Sequence, residues 1–541
     1  MVGIPRQGLY GFPVKLPKSA YTQERVIPTK GYTDLPDISA GPSSIVSGQN
    51  VWIWQERLTP RPRLLAVDGN ALNDVPTGAF TYFDVNGIAY PVIASQGTFA
   101  YLSSGSWTAL TYNSGVSNEP PSGGAANTVH GTSIYLPRAD ANIAVWVNGV
   151  NPAFCWAGEQ NGTQYSTLSQ GLIAEDVTIA NSRLIYWNVG YLSSTSQLVT
   201  RVAWTAAGDP EDTTGIDSGY NDLLDMRGVG TRCFTVADQL LVASDQEIWR
   251  GTFVGYPYVY QFTPLSRAQG IPYGRAAINT PEGLFWLGSD DMVYNIPPYY
   301  WYSKIDPVGY AVQRTLHRDL ADPTTAFFGY HGDAKQLTLY YTDTAGSYPQ
   351  RALTYNTISK VWAPQTFTHN LVASFTGNKS STATQWDQLV GTFAQQTLSY
   401  DQLAGASTAL FDGVVSSGGS AYVFRPAYEQ PTDDGVAVLE EATMGPMFTA
   451  MPERRKFLDE TRIDVQCDST SSMSVAISGD LGQTFPAERL ITLSAGSASS
   501  QYLLKHTGVS GVNHTIRLRS IGGAWNVNAI TGRAKIEGEA I

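Results

Sequence analysis

Charged side chains are scarce in this chain: Asp, Glu, Lys and Arg make up 15% of its 541 residues, where an average soluble domain carries roughly 25%. Helices need Glu, Lys and Arg on their wet faces, so a predominantly helical fold is the first thing excluded. Basic residues are the scarcer half, 34 against 46 acidic ones, for a net charge of −12. A protein that grips nucleic acid by its phosphates needs clustered Lys and Arg, and that reading falls too. DNA that only passes by is compatible with the same acidity, because an acidic wall repels a polyanion.

Cysteine is nearly absent. Cys155, Cys233 and Cys467 are far apart and odd in number, which excludes both a zinc ribbon and a disulfide framework and leaves buried free thiols in a reducing compartment. Long apolar runs are lacking, so no bilayer span is expected, and Met1 to Gly8 has no apolar stretch of the signal-peptide kind.

Catalytic and cofactor motifs are missing as well. His130, His317, His331, His369, His506 and His514 are scattered and form no HExxH. The run nearest to a serine-hydrolase elbow, Gly405 to Ala409, ends without the Gly that permits the strained turn. Gly228-Val229-Gly230 begins like a dinucleotide loop, but Cys233 stands where the third Gly belongs and a strand follows, so it reads as a turn. Asp290-Asp291, Asp433-Asp434 and Glu440-Glu441 read as turn acids, since Asp bonds its own following backbone. No catalytic residue, metal site or cofactor is expected.

What the chain has is apolar and aromatic content, 43% and 11%, among Ser, Thr, Asn, Gln and Gly. That composition suits short strands joined by many turns. Thr81 to Val85 runs into Asn86-Gly87 and then Ile88 to Ile93; Ile143 to Val147 runs into Asn148-Gly149, both hairpin signals. Such units recur at roughly 40 to 50 residues, the period of propeller blades. One local echo, Gln385-Trp386-Asp387-Gln388-Leu389 against Ser399-Tyr400-Asp401-Gln402-Leu403, adds a repeat. The expected fold is all-β: a β-propeller of six to eight blades over 46–435, an extended N-terminal arm over 1–45, and a β-sandwich-like domain over 436–541. A stack of β-sandwiches is the rival architecture. The arm is punctuated by Pro5, Pro13, Pro17, Pro28, Pro36 and Pro42 and must dock either on its own body or on a neighbouring subunit. Within the C-terminal part, Ser478-Gly479-Asp480-Leu481-Gly482-Gln483-Thr484-Phe485 resembles the Asp-box of sialidase-like propellers, which is a hairpin device and not a catalytic site.

Several runs resemble the β-propeller hub and nozzle proteins of short-tailed bacteriophages. Asn50-Val51-Trp52-Ile53 leads to Leu58-Thr59-Pro60-Arg61-Pro62-Arg63; Trp204 to Asp212 contains Asp209-Pro210-Glu211-Asp212; Phe253 to Pro257, Gly283 to Asp290 with Trp286, and Trp386-Asp387-Gln388-Leu389 follow in order. Two turns depart from the family pattern: Thr213-Thr214 stands where a Trp is usual, and Asp291 where Gly is usual. Trp52, Arg61, Arg63, Trp204, Asp209, Pro210, Glu211, Asp212, Trp286, Trp386 and Asp387 are thereby singled out as structural or interface residues, with Asp209, Glu211 and Asp212 left in water.

The resemblance implies a structural, non-enzymatic tail component, assembled into the virion after synthesis in the host cytoplasm. Copies of the chain, six of them, would form a ring below the portal and adaptor, beside other tail proteins and tail fibres. The ring would retain genomic DNA and then conduct it without sequence-specific binding, with carboxylates lining the lumen. Six chains at −12 sum to about −70, which favours passage over adhesion. A tail-fibre, receptor-binding or glycan-degrading protein is the alternative.

Overall fold

The structure is a computed structural model that describes residues 21–34, 40–68, 75–95, 97–103, 106–113, 122–124, 127–191, 198–298, 304–344, 346–378, 410–425, 427, 429, 431–449, 454–486, 488–505 and 509–540. The chain divides into two units, Arg61–Val438 and Met1–Pro60 with Leu439–Ile541.

In the first unit, apolar segments separated by tight turns fold into antiparallel four-stranded meanders, each built from near neighbours in sequence. Blade 1 consists of Gly78–Phe83, Ala89–Ala94, Phe99–Ser103 and Ser106–Tyr112, and blade 2 of His130–Leu136, Ala141–Val147, Phe154–Trp156 and Gln164–Thr167. Blade 3 is Leu172–Ala180, Arg183–Tyr191, Leu198–Trp204 and Gly219–Asp222; blade 4 is Gly230–Val236, Gln239–Ser244, Ile248–Gly255 and Val259–Ser266. Blade 5 is Ala277–Thr280, Gly283–Leu287, Val293–Ile296 and Asp306–Pro307; blade 6 is Asp322–His331, Gln336–Thr342, Arg351–Asn356 and Val361–Thr366. Blade 7 is Leu371–Asn378, Leu410–Ser416 and Ala421–Arg425, and its fourth strand is Arg63–Asp68 from the other end of the unit. The first strands of successive blades lie side by side in a closed cycle, that of blade 7 against that of blade 1. The unit is a seven-bladed β-propeller.

A blade cannot cover both its faces alone, so the gaps between blades are the core. Phe80, Phe99, Trp146, Phe154 and Tyr165 fill the gap between blades 1 and 2, with Phe99 and Trp146 centroids 5.2 Å apart. Trp187, Trp204, Trp249 and Tyr260 fill that between blades 3 and 4. There the buried indole of Trp187 also donates to the carbonyl of Ala243 at 2.8 Å, tying two blades by a directional bond. Gly230 permits this approach, because a Cβ at that position would meet the Trp187 ring at 2.7 Å. The Gly228-Val229-Gly230 run is thus a turn with φ +87° at Gly228 followed by a packing glycine, as its sequence context suggests.

The ring closes through a covalently distant pair. Arg61, 1% exposed, reaches Asp433, 0% exposed, with both terminal nitrogens; Nη1 lies 3.1 Å from Oδ1 and Nη2 also bonds Oδ2. The guanidinium further donates to the carbonyls of Thr366 at 3.0 Å and Pro62 at 2.7 Å, and stacks 4.3 Å over the Phe367 ring. Asp433 Oδ1 also accepts the amide of Leu64 at 2.9 Å, beside the pairing of Leu64 with Phe424 in blade 7. Asp433 is therefore not the turn acid that its sequence neighbourhood suggests. Its partner lies 372 residues away, so nothing local marks it.

The second unit holds two sheets. In one, Arg454–Cys467 pairs antiparallel with Gly496–Lys505 and with Trp525–Ala540; the last also pairs with Tyr21–Val26 and touches the hairpin of Val51–Trp54 and Arg57–Pro60 at Leu58. In the other, Gly31–Tyr32 runs parallel to Ser44–Gln49, followed by Leu439–Met444, Thr515–Ile521, Ser471–Ser478 and Glu488–Leu493. Burial alternates along Arg454–Cys467 and Thr515–Ile521, the pattern of sandwich sheets with one wet face. Two expectations change here. Residues 21–32 are not an arm without structure of its own but contribute two strands, Tyr21–Val26 at a sheet edge and Gly31–Tyr32 within a sheet, and the described residues up to Pro60 belong with the C-terminal sandwich, so the propeller begins at Arg61 and not at 46. A six-residue edge strand is specified by its distant partner, and its local sequence carries too little alternation to announce it.

Removing one partner of a buried, multiply bonded ion pair strands the other charge, at a cost of about 3 to 5 kcal/mol. Asp433→Leu and Arg61→Met should each lower the unfolding free energy of the propeller by that much in urea titrations. Arg61→Met combined with Asp433→Leu should cost less than the two single changes summed; strict additivity would show that the pair is not coupled.

Candidate functional site

The residues singled out by motif do not converge. Trp52 lies in the hairpin of the second unit, opposite Thr59. Arg61 sits in the closure and Arg63 begins the closing strand opposite Arg425. Trp204 is 5% exposed at the end of the third strand of blade 3, edge-on to Tyr260 at 5.3 Å. Trp286, fully buried in blade 5, stacks on Tyr294 at 5.6 Å. Trp386 and Asp387, with the echo around them, lie outside the described residues.

The Asp209-Pro210-Glu211-Asp212 loop is more committed than acids left in water. Glu211 accepts the Ser169 amide at 2.9 Å, and the carbonyl of Pro210 accepts Gln170 Nε2 at 2.9 Å. Asp212 Oδ1 accepts the amides of Thr214 at 3.0 Å and Gly215 at 2.7 Å, while Asp209 accepts that of Glu211 at 3.2 Å. The loop therefore fastens blade 3 to the segment arriving from blade 2. Asp480 of the Asp-box does the same for its own hairpin: it accepts the Thr484 amide at 2.9 Å and hydrogen bonds from the Ser478 and Thr484 hydroxyls, which hold its carboxyl down to about 2.

Convergence occurs on the propeller axis instead. A cavity of about 330 Å³ is lined by residues from all seven inner strands or the turns that enter them, among them His130, Asp176, Arg232 and Arg275. Asp176 is 1% exposed; its Oδ2 accepts Arg232 Nε at 2.9 Å and the Cys233 amide at 2.7 Å, and its Oδ1 accepts the Val177 amide at 2.9 Å. Burial pushes the Asp176 carboxyl up, against the pull of Arg232 and both amides. Arg232 also donates to the carbonyl of Gly274 at 2.8 Å. Arg275 donates to the carbonyl of Val372. Burial, then Arg232 and Arg275, hold the His130 imidazole well below 6.5, so it is neutral and hydrogen-bonds Thr128 Oγ1 at 3.1 Å. Burial pushes the Cys233 thiol well up, leaving it inert. The sequence carries little signal for this site: Asp176 follows Glu175 in one inner strand and Arg232 stands between Thr231 and Cys233 in another.

A second cavity, about 650 Å³, opens at the C-terminal ends of the inner strands of blades 6 and 7 and is lined by Tyr330, His331, Asp333, Phe375, Asp412 and Phe424, among others. Asp412 accepts the Gly332 amide at 3.2 Å and Thr376 Oγ1 at 3.1 Å, and lies 3.5 Å from His331 Nδ1. Among the described residues, no group of three or more His, Cys, Asp or Glu could hold a metal ion, and no helix is long and apolar enough to cross a membrane.

No family model and no curated protein matches this chain. Among solved structures, BBS1N in complex with ARL6DN is 10% identical, with 67% of this chain and 97% of that one covered, at a TM-score of 0.39. YCF48 bound to D1 peptide is 9% identical over 66% of this chain and 98% of that one, at 0.36. The exo-beta-1,3-galactanase of Phanerochaete chrysosporium with galactose is 9% identical over 70% and 98%, at 0.22. Likenesses this distant bring no activity or partner to the chain, and the propeller rests on its own strand order.

The neutral His130 gives a pH dependence. Its folded value lies below its unfolded one, so the unfolded chain takes up a proton first as pH falls below about 6.5. The stability that the neutral, half-buried ring contributes is complete above that pH and declines below it, by at most about 1.4 kcal/mol per pH unit. Urea unfolding between pH 7.5 and pH 5 should show this decline, and His130→Gln should flatten it.

Proposed function

We propose that this chain is a structural, non-catalytic subunit of a bacteriophage tail, a nozzle or hub that assembles with copies of itself into a ring below the portal and adaptor. The ring retains genomic DNA and conducts it during ejection. The observation that carries the reading is how the motif residues are used: Arg61, Trp204, Asp209 to Asp212 and Trp286 close the ring of blades, fill the gaps between them or fasten one to the next. A wall needs those interactions, and an enzyme would need others. Hydrolysis of a glycosidic bond takes two carboxylates across a cleft, whereas the axial cavity has Asp176 alone, engaged by Arg232 and two amides.

A cavity of about 330 Å³ has the size of a small-molecule pocket. In this reading DNA therefore runs through a lumen between copies and not along the axis of any one propeller. The net charge of −12 per chain keeps that lumen from holding the polyanion.

The rival, a receptor-binding or glycan-degrading tail protein, has one observation on its side. The larger cavity combines aromatic rings of Tyr330, Phe375 and Phe424 with Asp333 and Asp412. Negative-stain and cryo-electron microscopy of the purified protein and of virions separates the two. A six-fold ring on the tail axis is the expected result; a peripheral trimeric spike, with oligosaccharide binding abolished by Tyr330→Ala, would replace this reading by the rival.

A further inference from the structure

The charge lining the axial cavity is opposite in sign to that of the chain. Four ionisable side chains matter here: Arg232, Asp176, Arg275 and His130. Arg232 and Asp176 cancel, with Nε and Oδ2 2.9 Å apart. His130 is neutral at physiological pH. Arg275 remains. It donates to a carbonyl, that of Val372, and among the described residues it forms no ion pair with a carboxylate. Burial moves its titration downward.

Arg275 is half-buried, and a cation that gives up part of its hydration without a carboxylate beside it is costly, so folded proteins pair such groups or give them an anion. The guanidinium stays charged under any ordinary condition, so it cannot escape the cost by losing a proton. It faces a cavity that is already open, and a second guanidinium, that of Arg232, lies on the same wall system with the neutral imidazole of His130 coupled to both. Arg232 uses Nε for Asp176 and Nη1 for Gly274, and Arg275 uses Nη2 for Val372, so among the described residues each keeps a further terminal nitrogen for a ligand. Asp176 does not repel an incoming anion strongly, because three donors already occupy its two oxygens. Thr132 and Thr178 add hydroxyls to the lining.

We propose that the axial cavity is a binding site for a small oxyanion of the phosphate or sulfate class, held between the guanidinium groups of Arg275 and Arg232. Planar guanidinium forks match tetrahedral oxyanions by paired, charge-assisted hydrogen bonds, and a cavity of about 330 Å³ admits such an ion with its remaining water. The bound anion would neutralise the axis and stabilise the folded propeller by mass action. This inference is independent of the tail reading: it concerns a single propeller, whatever ring it enters.

Equilibrium dialysis of the full chain against radiolabelled phosphate tests it. The expected result is saturable binding of about one phosphate per chain, displaced by sulfate and not by chloride at matched ionic strength, since screening alone does not distinguish these salts. Arg275→Gln should weaken binding by about tenfold or more, the loss of one charge-assisted interaction, while Arg318→Gln, on the exposed surface beside Asp319, should leave it unchanged. Thr132→Asp, which adds a carboxylate to the lining, should weaken binding to a similar degree and serves if Arg275→Gln does not fold. Absence of saturable binding to the unaltered chain, or equal binding by all folded variants, would overturn the proposal.

Discussion

The interaction on which the propeller depends is the bond between Arg61 and Asp433. Each of blades 1 to 6 is assembled from neighbouring segments of sequence, and the gaps between blades fill with apolar side chains that have little directional preference. Nothing in that plan stops the ring from opening between its first and last segments. The seventh blade prevents it, because its outer strand, Arg63–Asp68, comes from the other end of the unit. A seam of that kind is only as firm as the groups that hold its two ends, and here both ends of the propeller are bound by one guanidinium. Arg61 touches Asp433, the carbonyl of Thr366 and the ring of Phe367 at once. Planarity and five donors make this possible; a lysine at the same place would offer a point charge and no fork.

The propeller axis obeys a different logic. Inner strands face a packed gap on one side and a small cavity on the other, so a charge there has to be neutralised within reach. Asp176 and Arg232 do so for each other, across blades 3 and 4. His130 does so by staying neutral. Arg275 stands apart, without a carboxylate beside it among the described residues. The acidic surface and the cationic axis also belong to separate problems: the first governs how the chain meets a polyanion from outside, and the second how one small cavity is satisfied.

The blades were legible because their strands are local. Asn86-Gly87 and Asn148-Gly149 mark real turns; Asp84 Oδ1 accepts the amides of Asn86 and Ile88, and Asn148 Oδ1 those of Val150 and Asn151. The strand expected at 143–147 lies within the observed Ala141–Val147, and those expected at 81–85 and 88–93 overlap Gly78–Phe83 and Ala89–Ala94. Other strands carry a weaker pattern: Gln164–Thr167 and Gly219–Asp222 are short outer strands with little to bury, and Leu172–Ala180 has charges at Glu175 and Asp176 that obscure its apolar face. The Asp-box hairpin was readable too, since a serine, an aspartate and a threonine at that spacing bond only one another's neighbourhood.

The order of turns and apolar segments along the chain sufficed to establish an all-β protein of repeated sheets with a sandwich at its end, because hairpins and alternation are short-range and each carries its own signal. The number of blades, the origin of the closing strand, the attachment of Tyr21–Val26 to the sandwich and the charged cluster on the axis were decided by tertiary structure alone. Each of these joins residues that are far apart in the chain, Arg61 with Asp433 and Asp176 with Arg232 among them. Two such side chains reveal nothing about each other until the backbone has brought them within a few ångströms, and an acid read in isolation looks like any other acid in a turn.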